Sequence, residues 1–190
     1  MPLNLPNLIT WLRIILIPLI VGVFYLPDAW LAMPGKNAAA TGIFVFAAIT
    51  DWLDGYLARK LDQMSAFGAF LDPVADKLMV VGALIVLLQL DRVESAVALI
   101  IIGREIAISA LREWMAKMGQ AKSVAVAFVG KIKTVGQMIA VPLLLYHNDL
   151  CGTINCQVLC TVLINVAAVL TVISMMYYLR KALPHAAETG

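Results

Sequence analysis

Residues 51–76 read DWLDGYLARKLDQMSAFGAFLDPVAD, and this stretch carries four closely spaced aspartates. Its first half carries Asp51 and Asp54, which are three residues apart and share one face of a helix. Its second half carries Asp72 and Asp76, which are four residues apart and also share a face. Only a short connection separates the two halves, so we predict two antiparallel neighbouring helices whose four carboxylates converge.

The composition places these carboxylates in an apolar setting. Of the 190 residues, 62% are hydrophobic and only 14% are charged, whereas a soluble domain is about half apolar and a quarter charged. We therefore predict an all-α polytopic membrane protein with a single catalytic domain over residues 1–190. Six segments are long enough to cross a bilayer, at about residues 6–26, 37–60, 70–90, 94–116, 123–147 and 155–180. In this division Pro73 falls in the first turn of the third helix, where proline is tolerated.

The basic residues predict how the chain lies in the membrane. If the amino terminus is cytoplasmic, all of the 14 Lys and Arg residues except Lys36 and Arg92 fall towards the cytoplasmic side. This bias follows the positive-inside rule. We therefore expect both termini in the cytoplasm and a bacterial-type inner membrane as the location.

The charges within the helices predict one polar cavity. Arg104 and Arg112 interrupt the fourth segment and Lys131 and Lys133 the fifth, all in the cytoplasmic half of the predicted topology. A charge isolated in hydrocarbon costs several kcal/mol, so such residues should face one another or water. We expect them to face the aspartates across a cavity that opens to the cytoplasm.

The aspartate cluster predicts a metal site. Four neighbouring carboxylates need a cation to remain ionised together, and all-oxygen ligands favour Mg²⁺ or Mn²⁺. Two such ions can clamp both sides of a phosphoryl displacement. One alternative is a set of salt-bridged aspartates that only orient helices. Another is a cation-coupled transporter, but the second half of the chain carries no matching carboxylate set.

The spacing of the motif points to a family. The pattern D-G-x₂-A-R-x₈-G-x₃-D-x₃-D is matched in full from Asp54 to Asp76, with Asp51 upstream, and it resembles the signature of the CDP-alcohol phosphotransferases. The stretches 4–13, 104–114 and 130–134 extend the resemblance over most of the chain.

The resemblance implies a fold and a reaction. Family members have six transmembrane helices, usually form homodimers, and transfer a phosphatidyl group from CDP-diacylglycerol to an alcohol with loss of CMP. It also implies two divalent cations, Mg²⁺ or Mn²⁺, that are bridged by Asp51 and Asp72 and completed by Asp54 and Asp76. Asp76 would also be the general base. The partners are then lipids and small substrates, and we expect no nucleic acid.

The same resemblance implies a nucleotide site. Gly55 would let the CDP group approach closely, Arg59 would contact a phosphate, and Ser65 would lie beside them. The full set of expected nucleotide-site residues is Gly55, Ala58, Arg59, Ser65 and Gly68, with Asn7 and Thr10 from the first helix.

The basic residues of the fourth and fifth segments suggest a phosphorylated acceptor such as sn-glycerol 3-phosphate. Arg104 and Arg112 are separated by about 80° around an ideal helix, so both could border one pocket. Lys131 and Lys133 are about 200° apart, so only one should point inward, and we favour Lys131. These cations could instead snorkel or pair with nearby glutamates. A sister enzyme that uses serine, inositol phosphate or phosphatidylglycerol is the alternative.

Overall fold

The computed structural model describes residues 5–61, 66–118, 128–147 and 156–187. These residues form α-helices and one 3₁₀ turn, with no strand among them, which confirms the all-α prediction. The helices are α1 (Leu5–Gly22), α2 (Met33–Leu61), α3 (Ala66–Gln89), α4 (Ser95–Lys117), α5 (Phe128–Tyr146) and α6 (Cys156–Ala187).

The third helix begins earlier than its hydropathy predicts. It starts at Ala66, so Pro73 lies inside the helix and the prediction that it occupies the first turn is wrong. The apolar residues 66–71 extend the helix towards the amino terminus, because a helix can pass through a proline at the loss of one backbone hydrogen bond. As a result Asp72 and Asp76 lie one turn or more inside α3.

Within the described part of the chain, two helical spans are long and apolar enough to cross a membrane by length and composition, Leu8–Tyr25 and Val158–Arg180. A shorter apolar stretch covers Val135–Tyr146 of α5. Charged residues interrupt the other helices, and those of α3 and α4 belong to the site described below. That all six helices span the bilayer stays a prediction.

The hydrophobic core lies between the helices. Helix α1 packs against α2 and α3, α2 packs against α5, and α4 and α5 pack against α6. A methyl group added at Gly82 of α3 would lie 3.3 Å from Ile17 Cγ2 of α1, so these helices approach closely. The largest fully buried apolar side chains of this core are Ile20, Phe44, Met79, Leu84, Leu87, Ile101, Leu144 and Leu145. This packing holds α1 against the helices that carry the aspartates.

Arg92 ties three helices together at the end of the bundle opposite the aspartates. Helix α3 ends in a Schellman turn, in which Asp91 has a positive φ of 54° and the Arg92 amide donates to the Leu87 carbonyl at 2.9 Å. The Arg92 guanidinium then donates to the carbonyls of Leu144 and Leu145, at 3.1 and 2.8 Å, and to Asn37 Oδ1 at 2.8 Å. The two carbonyls belong to the last turn of α5, which has no intrahelical donors for them. Burial lowers the pKa of Arg92, but a guanidinium stays charged at neutral pH.

We expect Arg92→Met to destabilise the protein without changing its chemistry. The variant loses three charge-assisted hydrogen bonds, which should lower the thermal midpoint in detergent by about 5–10 °C. Arg92→Lys keeps the charge but not the forked donors, so its thermal midpoint should lie between those of the wild type and Arg92→Met. Circular dichroism melts measure this effect, and an Arg92→Met midpoint equal to that of the wild type would contradict it.

Candidate functional site

One buried guanidinium joins the first three helices. Arg13 of α1 is fully buried, with 0% of its side chain exposed. Its Nη1 lies 2.7 Å from Asp51 Oδ1 of α2 and 2.7 Å from Asp76 Oδ1 of α3. The two carboxylates are only partly buried, with 33% and 40% of their side chains exposed. Two of the four aspartates predicted to converge, Asp51 of α2 and Asp76 of α3, therefore lie close together, and the side chain between them comes from α1.

Thr10 of α1 contacts a third aspartate. It lies three residues before Arg13, on the same face of α1, and it is buried. Its hydroxyl donates a hydrogen bond of 2.7 Å to Asp72 Oδ1. Thr10 was expected at the nucleotide site, and in the structure it contacts a predicted metal ligand. Through Arg13 and Thr10, α1 contacts three of the four predicted metal ligands, Asp51, Asp72 and Asp76.

The donor chemistry of this cluster fits a hard cation. Carboxylate oxygens are the ligands that Mg²⁺ and Mn²⁺ prefer. The arginine contacts demonstrate that Asp51 and Asp76 already converge on one position of positive charge. Among the residues with described side chains, no group of three or more carboxylate, His or Cys side chains is close enough to hold a metal. The side chain of Asp54, the fourth predicted ligand, lies outside that description.

A cavity opens beside Asp76. Its volume is about 520 Å³, and it lies between α3, α4 and α5. Its lining residues are Pro73, Asp76, Lys77, Val80, Arg104, Glu105, Ile108, Ser109, Arg112, Gln137 and Met138. Asp76 is thus the residue shared by the arginine-centred cluster and the cavity. Arg104 and Arg112 border the same space, as their angular separation on α4 predicts.

The two arginines are held differently. Arg104 is buried, and its Nη1 lies 3.0 Å from Glu105 Oε1, so the glutamate balances part of its charge. Arg112 is exposed, and its guanidinium carbon lies 5.7 Å from the centroid of the Tyr178 ring of α6, a cation–π arrangement. The cavity can therefore offer two fixed cations to an anionic group, with a carboxylate from Asp76 on the same wall.

Several predicted site residues cannot be placed by their side chains. Gly68 is buried in the first turn of α3. The predicted residues whose side chains are not described are Asn7, Asp54, Gly55, Ala58, Arg59, Ser65, Lys131 and Lys133. The preference for Lys131 over Lys133, and most of the nucleotide site, therefore stay predictions.

Sequence reasoning missed Arg13, Lys77 and Gln137 as site residues. A signal existed for Arg13, because it is the one charge in residues 5–22 and an arginine in an apolar helix needs a partner. Lys77 follows Asp76 directly and carries a similar signal. Gln137 has no charge and no motif to mark it, so only the packing of α5 against the cavity reveals it.

The chain is similar in sequence to known proteins over nearly its whole length. Relatives from Salmonella choleraesuis (strain SC-B67), Yersinia enterocolitica and Shigella flexneri are each 47% identical over 184 residues, which cover 96% of this chain and 96% of each relative. Each is a CDP-diacylglycerol–glycerol-3-phosphate 3-phosphatidyltransferase. Together with the apolar helices α1 and α6, the likeness indicates an integral membrane protein. The sequence model of the CDP-alcohol phosphatidyltransferases matches residues 3–177, and the chain belongs to this family.

Proposed function

We propose that the chain transfers a phosphatidyl group from CDP-diacylglycerol to sn-glycerol 3-phosphate, giving phosphatidylglycerophosphate and CMP. The relatives that are 47% identical over 96% of the chain carry both substrates in their names. The structural observation that carries the proposal is the cavity in which Asp76 lies on one wall with Arg104 and Arg112. A proton acceptor and two phosphate-binding cations are what this acceptor requires.

The reaction is a direct displacement. The acceptor hydroxyl oxygen attacks the β-phosphorus of CDP-diacylglycerol, and the bond from that phosphorus to the CMP oxygen breaks. Asp76 takes the hydroxyl proton, since its carboxylate borders the cavity and is part-exposed. Arg104 and Arg112 bind the acceptor phosphate, which orients the reacting hydroxyl and excludes acceptors without a phosphate.

The proposed metal ligands are the four aspartates. The family depends on divalent cations, and Asp51, Asp54, Asp72 and Asp76 would hold two of them, Mg²⁺ or Mn²⁺. A bound cation would neutralise the pyrophosphate and the leaving CMP. Thr10 supports this role for Asp72, because its hydroxyl fixes one carboxylate oxygen. Gly55, Ala58, Arg59, Ser65 and Gly68, with Asn7, are the proposed nucleotide contacts.

The proposed membrane arrangement places the site at the cytoplasmic face. Asp51 lies in the second half of α2, Asp76 in the first half of α3, and Arg112 in the second half of α4. These positions meet at one end of a bundle whose helices alternate in direction, which supports one site at one membrane face. The proposal also includes six membrane spans, cytoplasmic termini and an inner-membrane location. It further includes a homodimer, which light scattering of the protein in detergent tests.

The decisive experiment measures CMP release by the purified protein in detergent with CDP-diacylglycerol. We expect release only when Mg²⁺ or Mn²⁺ and sn-glycerol 3-phosphate are both present. Serine, inositol phosphate and phosphatidylglycerol, each tested alone, should give no release above background. Release with one of these acceptors would keep the family chemistry and overturn the acceptor. Absence of release with every acceptor, from folded protein, would overturn the proposed function and favour an ion-transport role for the aspartates.

Arg112→Gln is expected to raise KM for sn-glycerol 3-phosphate about 10- to 100-fold, with a smaller change in kcat. The substitution removes a charge-assisted contact that the acceptor phosphate makes in both the ground state and the transition state. The matched control is Lys117→Gln on the same helix. Lys117 pairs with Glu113 at 2.9 Å, is largely exposed and does not line the cavity, so its loss should leave KM unchanged. Equal KM values for the two variants would exclude Arg112 from the acceptor site.

A further inference from the structure

Gln137 is a buried amide at the wall of the acceptor cavity. It lies on α5, and only 4% of it is exposed. Its Nε2 is buried and has no hydrogen-bond partner among the residues that the structure describes. A buried amide nitrogen without a partner costs free energy, and nearly all such groups in proteins are satisfied by protein, water or ligand. The position of Gln137 on the cavity wall therefore points to a bound molecule as its partner.

The surroundings of Gln137 define the group that it would bind. The cavity offers charged partners for a phosphate in Arg104 and Arg112. The Ser109 hydroxyl, which also lines the cavity, already donates to the Glu105 carbonyl at 2.5 Å. Gln137 is thus a neutral donor that is free to meet a neutral acceptor atom. On a phosphorylated polyol, that atom is the oxygen of a hydroxyl that does not react.

We infer that Gln137 is a specificity-determining residue that donates a hydrogen bond to the non-reacting hydroxyl of a phosphorylated polyol. This inference rests on the proposed function and assigns a role within the same cavity. A site built to hydrogen-bond a substrate hydroxyl rejects an analogue that lacks it, because the buried amide is then left unpaired. Gln137 would therefore distinguish a glycerol phosphate from a simple alkanol phosphate that the two arginines could bind equally well.

The test compares two acceptors that differ by one hydroxyl, sn-glycerol 3-phosphate and 3-hydroxypropyl phosphate. We expect the wild-type protein to prefer the first by about 10- to 100-fold in kcat/KM. In Gln137→Met, which fills the same volume without a donor, this preference should fall below about threefold. The ratio does not depend on the folded fraction, so a purely structural role would not move it. Ile139→Leu, at an exposed apolar position of α5 outside the cavity lining, should keep the wild-type preference.

The outcomes separate this inference from the proposed function. A wild-type protein that uses both acceptors equally, or a Gln137→Met variant that keeps the full preference, would overturn the inference and leave the proposed function intact. No CMP release from the wild-type protein with glycerol phosphate would overturn both. If Gln137→Met does not fold, Gln137→Asn replaces it, because this change keeps the amide but withdraws it by one methylene. Its preference should also fall, and an unchanged preference would overturn the inference.

Discussion

Asp76→Asn is expected to lower kcat for CMP release about a thousandfold or more. The asparagine amide has nearly the shape of the carboxylate, but it cannot accept a proton and it is a weaker ligand for a cation. Asp76 serves both proposed roles because it lies where the arginine-centred cluster meets the cavity. General-base catalysis alone contributes about 10²–10⁴ in rate, and the loss of a metal ligand adds to this.

Separate measurements of kcat and KM test the role of Asp76 better than a single activity value does. In the proposed acceptor site, residues of α4 hold the phosphate, so KM for sn-glycerol 3-phosphate should change much less than kcat. The matched control is Asp91→Asn, at the far end of the bundle. Asp91 has a φ of 54°, a conformation that asparagine also adopts readily, so this variant should fold and keep its activity. Retention of more than about a tenth of the wild-type kcat by Asp76→Asn would exclude a general-base role.

The sequence predicted the family and the approach of Asp51 to Asp76 because both depend on the spacing within residues 51–76. The interval between Asp51 and Asp76, read as two helices and a short loop, limits where their carboxylates can lie. The family prediction is confirmed by the match over residues 3–177. Likewise, the interval of eight residues between Arg104 and Arg112 predicted that both would border one cavity, because it depends only on helix geometry.

The rest could not be predicted because it depends on contacts between distant helices. Arg13 is separated from Asp76 by 63 residues, and no periodicity within α1 tells which carboxylates it meets. Gln137 resembles any polar residue of a helix until the packing of α5 places it at the cavity. The predicted start of α3 was wrong because Pro73 was assigned to the first turn. Proline is more typical of a first turn than of a helix interior.

Arg13→Met is expected to lower the free energy of unfolding of the metal-free protein by about 3–5 kcal/mol. The guanidinium is fully buried between Asp51 and Asp76, and methionine fills part of its space without a charge. The two carboxylates would then face each other without the cation that now lies 2.7 Å from each. Thermal melts in the presence of a chelator measure this loss.

Added Mg²⁺ should restore the stability that Arg13→Met loses. This response tests whether Arg13 acts as a counter-ion that a metal can replace or only as a structural ion pair. If Asp51 and Asp76 are metal ligands as proposed, a metal in the wild-type protein must compete with Arg13 for the same carboxylate oxygens. Without Arg13 that competition is gone, so metal should bind more tightly and raise the thermal midpoint more in Arg13→Met than in the wild type. Arg13→Lys keeps a charge but lacks the forked donors of a guanidinium. Its metal-induced rise in thermal midpoint should therefore lie between those of the wild type and Arg13→Met.

Lys36→Met provides the matched control for the metal response. Lys36 is also a buried cation, with its Nζ 2.7 Å from Asp28 Oδ1, but it lies at the start of α2, far along the helix from Asp51. Its loss should lower stability and leave the metal-induced shift at the wild-type value. A shift in Arg13→Met no larger than that of Lys36→Met would mean that Arg13 does not occupy the place of the cation. A larger shift would mean that Arg13 of α1 is the counter-ion of these aspartates in the metal-free protein. Arg13 would then lose its contacts with Asp51 and Asp76 when metal binds.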